Sequence, residues 1–192
     1  MSNIILVTGG ARSGKSSFAE SLCKNQNNRI AYIATSIAFD DEMKNRVKKH
    51  QESRPKEWNT YEIYKDIYSI IDEIGEKHDT VIMDCVTLMV NNLMFTYGID
   101  VDKATSKELD ELENYIRDQI EKLLDAVKKT NLYFVIVSNE IGMGIVPANK
   151  LSRIYSDFVG RANQLIGKYS DEVYFVVSGI PMKVKWWKWR DL

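Results

Sequence analysis

Apolar residues in this chain fall into two alternating patterns: short unbroken runs, and longer stretches in which they recur every three or four positions. Ile4–Thr8, Arg29–Thr35, Thr80–Met83, Leu132–Val137 and Glu172–Val177 are runs rich in β-branched or aromatic residues and read as buried strands, with Thr60–Ile63 as a shorter one. Helical spacing opens after Gly14 with Ser17, Phe18, Ala19, Glu20 and Leu22, and recurs from Lys65 to Glu76 (Ile67, Ile70, Ile71, Ile74) and from Val86 to about Tyr97. Asp40 to about Gln51 also reads as a helix, acidic in its first turn and basic in its last, and Arg54-Pro55 ends it because proline pushes its predecessor out of the α region. Thr105-Ser106-Lys107-Glu108 is a capping box that starts a long amphipathic helix along Leu112, Ile116, Ile120, Leu123 and Val127. Leu151, Ile154, Tyr155, Phe158, Ala162, Leu165 and Ile166 mark a last helix, after a glycine-rich loop from Asn139 to Pro147. Strands separated by helices predict an α/β fold with a mainly parallel sheet and helices on both faces.

Composition narrows the class. A length of 192 residues suits one domain over residues 1–192, ending in a short aromatic and basic tail from about Lys185 to Leu192. With 44% hydrophobic and 28% charged residues the chain reads as an ordinary globular protein, and a net charge of -1 offers no broad footprint for nucleic acid. The first apolar run is short and ends in glycines, so it reads as a strand and not as a signal peptide, and no segment is long enough for a transmembrane anchor. Cys23 and Cys85 are too few for a disulfide framework and lack zinc-site spacing, which suits the reducing cytoplasm. The tail Lys185-Trp186-Trp187-Lys188-Trp189-Arg190 reads as aromatics packing back onto the domain or onto a neighbouring subunit.

The strongest chemical signal follows the first strand directly. Gly9-Gly10-Ala11-Arg12-Ser13-Gly14-Lys15-Ser16 satisfies the phosphate-loop pattern G-x-x-x-x-G-K-[ST], in the strand-to-helix context the motif requires, which predicts a P-loop NTPase-like sheet. Glycines let the backbone approach phosphates closely, and the new helix aims unpaired N–H groups at them. Lys15 is expected at the β- and γ-phosphates and the Ser16 hydroxyl at Mg²⁺. Asp84, at the carboxyl end of a neighbouring buried strand, is the expected second metal-supporting group; a helix N-cap is its plainer alternative. Of the two histidines, His78 sits in polar Glu76-Lys77-His78-Asp79 and reads as a solvated loop residue. His50 ends the basic run Lys44-Asn45-Arg46-Val47-Lys48-Lys49 and is followed by Arg54, so a negative group held there would meet several cations. Arg153 and Arg161 lie on one side of the last helix, where phosphate contacts and salt bridges are equally open.

From about Ile4 to Lys185 the chain resembles the bifunctional adenosylcobinamide kinase/adenosylcobinamide-phosphate guanylyltransferase family. The matching strings include Ile5 to Ser16, Tyr32-Ile33-Ala34-Thr35-Ser36, Asp40 to Met43, Arg46…His50…Arg54-Pro55…Trp58…Thr60…Glu62, Asp84-Cys85…Thr87, Ser138 to Pro147, Gly160-Arg161…Asn163-Gln164 and Val176 to Gly179. The resemblance implies two reactions: phosphorylation of a corrinoid's aminopropanol hydroxyl by GTP or ATP, then transfer of GMP from GTP to that phosphate in cobalamin assembly. It further implies that His50 carries GMP covalently, a role neutral imidazole suits, with Lys48, Lys49 and Arg54 offsetting charge at the α-phosphate. Relatives can carry a second histidine where this chain has Lys49. Nucleotide contacts carried over by motif are Gly9, Gly10, Ala11, Arg12, Ser13, Gly14, Lys15 and Ser16, then Ala34, Thr35 and Ser36, then Gln51, Glu52, Ser53 and Arg54, with Glu62 and Asp84. Mg²⁺ as cofactor, adenosylcobinamide and its phosphate as substrates, and a homotrimer complete what the resemblance implies. From the residues alone two other readings stay open: a small-molecule or nucleotide kinase without a covalent intermediate, and a non-enzymatic GTP switch. Against the switch, Asn149-Lys150-Leu151-Ser152 lacks the aspartate of a guanine-reading motif and Asp84-Cys85-Val86-Thr87 lacks the switch glycine.

Overall fold

The computed structural model describes residues 2–26, 29–36, 55 and 57–185. Among them, seven strands form one sheet: β1 (Asn3–Gly9), β2 (Ile30–Ala34), β3 (Asn59–Glu62), β4 (Thr80–Asp84), β5 (Tyr133–Val137), β6 (Glu172–Val177) and β7 (Ile180–Lys185). The order across the sheet is β3-β2-β4-β5-β1-β6-β7, parallel throughout except that β7 runs antiparallel to β6. The described helices are α1 (Lys15–Lys24), α2 (Ile71–Lys77), α3 (Val86–Tyr97), α4 (Ser106–Lys128) and α5 (Lys150–Tyr169). The mainly parallel α/β sheet expected from the hydrophobic pattern is therefore the architecture. None of the described helices is long and apolar enough to cross a membrane.

Period-two alternation divides the strands between two cores. Ile4, Leu6, Ala31, Ile33, Val81, Met83, Phe134 and Ile136 face α2, α3, α4 and α5, while Ile5, Val7, Tyr32, Ile82, Val135 and Val137 face α1. Both faces are covered, so the central strands carry apolar residues at nearly every position, as buried parallel strands must. The capping box at Thr105 forms as expected: Glu108 N–H donates to Thr105 Oγ1 and Thr105 N–H donates to Glu108 Oε2.

Three local expectations are revised. Lys65 to Glu76 is not one helix but a 3-10 turn, Ile67–Ile70, leading into α2, with Asp66 ahead of it in the left-handed region at φ 53°. Gln119 holds that corner by accepting from Asp66 N–H and donating to Asp66 Oδ1, a tertiary contact invisible to spacing. His78 is buried, not solvated: its ring meets Asn59 Nδ2 at 3.0 Å and the Ile74 carbonyl at 3.3 Å, and packs edge-on against Tyr61. Lys185 belongs to β7 rather than to a tail. Its ammonium donates to the carbonyls of Gly167, Lys168 and Ser170 at 2.8, 3.2 and 2.5 Å, satisfying acceptors that the end of α5 leaves open. The expected helix over 40–51 and the aromatic segment 186–190 lie outside the described residues.

Candidate active site

Strands β1, β2, β4 and β5 end together at the carboxyl edge of the sheet, and the segments that leave them wall a cleft of about 640 Å³. Ala11 to Ser16, Ser36, Asp84, Thr87, Asn139 and Tyr155 line it. Ligands of open parallel sheets collect at this position because the loops diverge there and helix N-termini point inward. The helix concerned is α1, whose N-cap, Gly14, has no side chain to satisfy the first-turn N–H groups, and whose first turn holds no acidic residue. Those donors are left for an anion.

Loop geometry depends on glycine at two points. Gly14 takes φ 94°, and an added Cβ would stand 3.1 Å from Gly179 Cα. A Cβ on Gly9 would meet the Val176 carbonyl at 2.5 Å and Ser13 Oγ at 2.7 Å, so the loop could not descend onto β6 with any larger residue. The two-residue turn Ser178-Gly179, with φ 51° and 82°, has the dihedral signs of the tight hairpin turn that joins β6 to β7, and Gly179 N–H donates to the Ser13 carbonyl at 2.8 Å. The β6–β7 hairpin thereby braces the phosphate loop.

Lys15 curls over that loop, donating to the Gly10 carbonyl at 3.2 Å. Burial lowers its pKa from the ordinary lysine range, against an opposing pull from Asp84. A desolvated ammonium with only one carbonyl partner gains most when a polyphosphate arrives. Asp84 is not the N-cap of α3; Cys85 holds that position, without a side-chain cap bond. Its carboxylate is left to the cleft. Ser16 and Asp84, a hydroxyl and a carboxylate that both line the cleft, are a hard-oxygen set of the kind Mg²⁺ takes when phosphates and water complete its octahedron. Among the described residues no group of three His, Cys, Asp or Glu could hold a metal by protein ligands alone.

Beneath the cleft lies a hydrogen-bonded floor. Thr35 Oγ1 donates to the Cys85 carbonyl at 2.7 Å and accepts from Cys85 N–H at 2.8 Å, while Asn92 donates to the Thr35 carbonyl at 2.7 Å. Asn139 Nδ2 donates to Thr87 Oγ1 at 2.7 Å, Tyr155 donates to the Thr87 carbonyl at 3.0 Å, and Asn163 links the Asn139 carbonyl to Ser138. Burial pushes the Cys85 thiol up to about 12, so it sits in this floor as a neutral group.

Of the expected nucleotide contacts, the loop residues Ala11, Arg12, Ser13, Gly14, Lys15 and Ser16 converge on the cleft with Ser36 and Asp84. Gly9 and Gly10 form the loop's approach from β1. Ala34 and Thr35 are buried behind the wall, where Thr35 supports Cys85 instead of facing the cleft. Glu62 is exposed at the end of β3, in register with Ala34. His50, Gln51, Glu52, Ser53 and Arg54 lie outside the described residues. Arg161 pairs with Glu113, and Arg153 donates to the carbonyls of Pro147 and Ala148, so both arginines are engaged by protein groups. Motif reading assigned no role to Thr87, Asn139 and Tyr155. For Thr87 and Asn139 the usable signal was a polar residue shortly after a buried strand; Tyr155, inside α5, carried none.

Fold and loop together define a P-loop protein that binds a nucleoside triphosphate at the carboxyl edge of a parallel sheet. Comparison with known sequences narrows this class. A model of the family described as cobinamide kinase / cobinamide phosphate guanyltransferase matches residues 5–184. The bifunctional adenosylcobalamin biosynthesis protein CobU of Escherichia coli is 42% identical over 182 residues, covering 95% of this chain and 99% of that protein. The Salmonella typhimurium CobU is likewise 42% identical with the same coverage, and the bifunctional protein CobP of Pseudomonas aeruginosa is 34% identical over 94% of this chain and 96% of its own length. The chain belongs to the cobinamide kinase / cobinamide phosphate guanyltransferase family.

Proposed function

We propose that the two transfers of this family, phosphorylation of cobinamide and guanylylation of cobinamide phosphate, run here through the one phosphate cleft and one imidazole, that of His50. The observation that carries the reading is the uncapped N-terminus of α1 beside a half-desolvated Lys15, with Asp84 lining the same cleft, which is large enough for a triphosphate. In the first transfer the corrinoid's aminopropanol oxygen attacks the γ-phosphorus of GTP or ATP. The bond to the β,γ-bridging oxygen breaks, the nucleoside diphosphate leaves and the hydroxyl proton passes to solvent. Lys15 and the loop N–H groups hold the phosphates in line and bear the charge that builds on the leaving oxygen. Ser16 and Asp84 would hold Mg²⁺ beside the phosphates, where it supplies charge neutralisation.

In the second transfer an imidazole nitrogen of His50 attacks the α-phosphorus of GTP and pyrophosphate leaves. An oxygen of cobinamide phosphate then attacks the same phosphorus, the P–N bond breaks, and the imidazole is returned with adenosylcobinamide-GDP formed. Covalent transfer divides one displacement into two, the first with neutral imidazole as nucleophile and the second with imidazole as leaving group. Ser36, Arg12 and Ser13 contact the nucleotide in this reading, Gln51 to Arg54 flank the adduct, and Thr35 holds the floor. A homotrimer and a cytoplasmic setting, which the two unpaired thiols suit, belong to the same proposal.

Incubation with GTP labelled at the α-phosphate tests it. The expected result is an acid-labile, base-stable label on the protein, absent from a folded His50→Ala variant and discharged by adenosylcobinamide phosphate. Product formation at the normal rate by His50→Ala would instead point to a P-loop kinase with no enzyme-bound nucleotide.

A further inference from the structure

A second cavity, of about 550 Å³, adjoins the phosphate cleft, and Ile141 lines both. One wall is the loop 141–147, whose Ile145 and Val146 are 97% and 76% exposed. The other is a stripe of α5 in which Ser156, Asp157, Gly160 and Gln164 follow at helical spacing. Arg153 ties the two walls together through the Pro147 and Ala148 carbonyls.

Gly160 has no role in the packing of the chain itself. It stands in the middle of a 20-residue helix, where glycine is a poor former, and a Cβ built on it would meet nothing within 4 Å. Absence of a side chain leaves a bare floor, open to the edge of a large ligand. The charges around that floor balance: Arg161 pairs with Glu113, and Asp157 offsets the charge of Arg153, whose Nη1 donates to the Pro147 and Ala148 carbonyls. Gln164 and Ser156 each donate and accept, which suits neutral amides, and exposed Ile145 and Val146 suit an apolar face.

We propose that this cavity seats one edge of the corrinoid, a macrocycle fringed with amide arms, beside Gly160 and the 141–147 loop, with its hydroxyl-bearing arm passing Ile141 into the phosphate cleft. The inference rests on the functional reading above and adds to it the place of the acceptor.

Titration of the full chain with adenosylcobinamide, followed by absorbance, tests it against parallel titrations with GTP. Gly160→Leu and, on the opposite wall, Ile145→Lys each raise the dissociation constant for adenosylcobinamide at least tenfold and leave that for GTP within twofold. Gly160→Ala weakens corrinoid binding less but unfolds at a higher temperature than the unsubstituted chain, which separates the effect from misfolding. Unchanged corrinoid affinity in both Gly160→Leu and Ile145→Lys overturns the placement. So does weakened binding accompanied by a smaller sedimentation coefficient, since that assigns the face to contact between copies. Failure of the unsubstituted chain to bind adenosylcobinamide while it still binds GTP sinks the functional reading itself.

Discussion

At the phosphate cleft the backbone of the loop and the start of α1 stand over a floor fixed by the Thr35, Asn139 and Asn163 hydrogen bonds; along α5, one residue beyond Ile141, the walls are exposed loop and the open face of a helix. The first arrangement suits a ligand whose charges occupy fixed points, because preorganised dipoles need no rearrangement when the anion arrives. The second suits a large, mostly neutral ligand recognised by area and by a few adaptable amide contacts. Glycine serves both, for different reasons. Gly9 and Gly14 are required by steric contacts within the chain, whereas Gly160 is required by no contact of the chain's own.

The largest effect should come from Lys15→Ala, which removes the cleft's one lining ammonium among the described residues. Phosphoryl transfer is expected to fall by about 10²–10³-fold in kcat with the fold intact, because the lost interaction acts on developing charge. Equal losses in nucleotide affinity and none in kcat would show that Lys15 only binds. Next, Gly14→Ala should cost about 1–3 kcal/mol in chemical denaturation, from the left-handed φ and the 3.1 Å approach to Gly179, and should reduce nucleotide affinity as the loop shifts. Gly160→Ala is the opposite case, so a stability loss shared by both variants would erase the contrast between the two glycines. Thr35→Val should cost about 1–3 kcal/mol, since it strips the Cys85 N–H and carbonyl of a buried partner, and calorimetry reads this directly. Thr105→Ala, remote from both cavities, should cost about 1 kcal/mol and leave both affinities unchanged.

The core beneath the phosphate loop also carries an alkaline pH response. Burial raises the Cys23 thiol, under α1, and the Cys85 thiol, in the cleft floor, to about 12 from an ordinary 9.0, with Glu20 and Asp84 respectively adding to the rise. The unfolded chain therefore loses these protons first as the solution becomes alkaline. Their contribution to stability is complete below about pH 9 and is lost as pH climbs toward 12. Denaturation midpoints measured across that window should fall, and Cys23→Ala should flatten part of the slope. A slope unchanged by that substitution would place the alkaline sensitivity elsewhere.

The P-loop, the order of strands and helices, Asp84 at the end of β4 and the Thr105 capping box were legible because each depends on neighbours within a few residues, where spacing and backbone geometry suffice. The burial of His78 was not, because a polar local context masks partners that come from β3 and α2. Nor was β7, whose Ile180, Met182 and Val184 alternate with Pro181, Lys183 and Lys185 but follow a turn that reads equally as the start of a tail. The support given by Thr35 to Cys85, fifty positions away in sequence, leaves no trace in periodicity.

By itself the sequence determined that this chain grips a polyphosphate, since glycine, lysine and serine at those intervals after a strand admit few other uses, and it determined the family through an ordered series of matched strings. Only the tertiary structure decided which of those residues face the ligand and which stand behind it, that a hairpin from the far end of the chain braces the loop, and that the α5 stripe opens onto the same edge. The physical reason is that hydrogen bonding and packing saturate over a few ångströms of space, a distance that sequence separation does not measure.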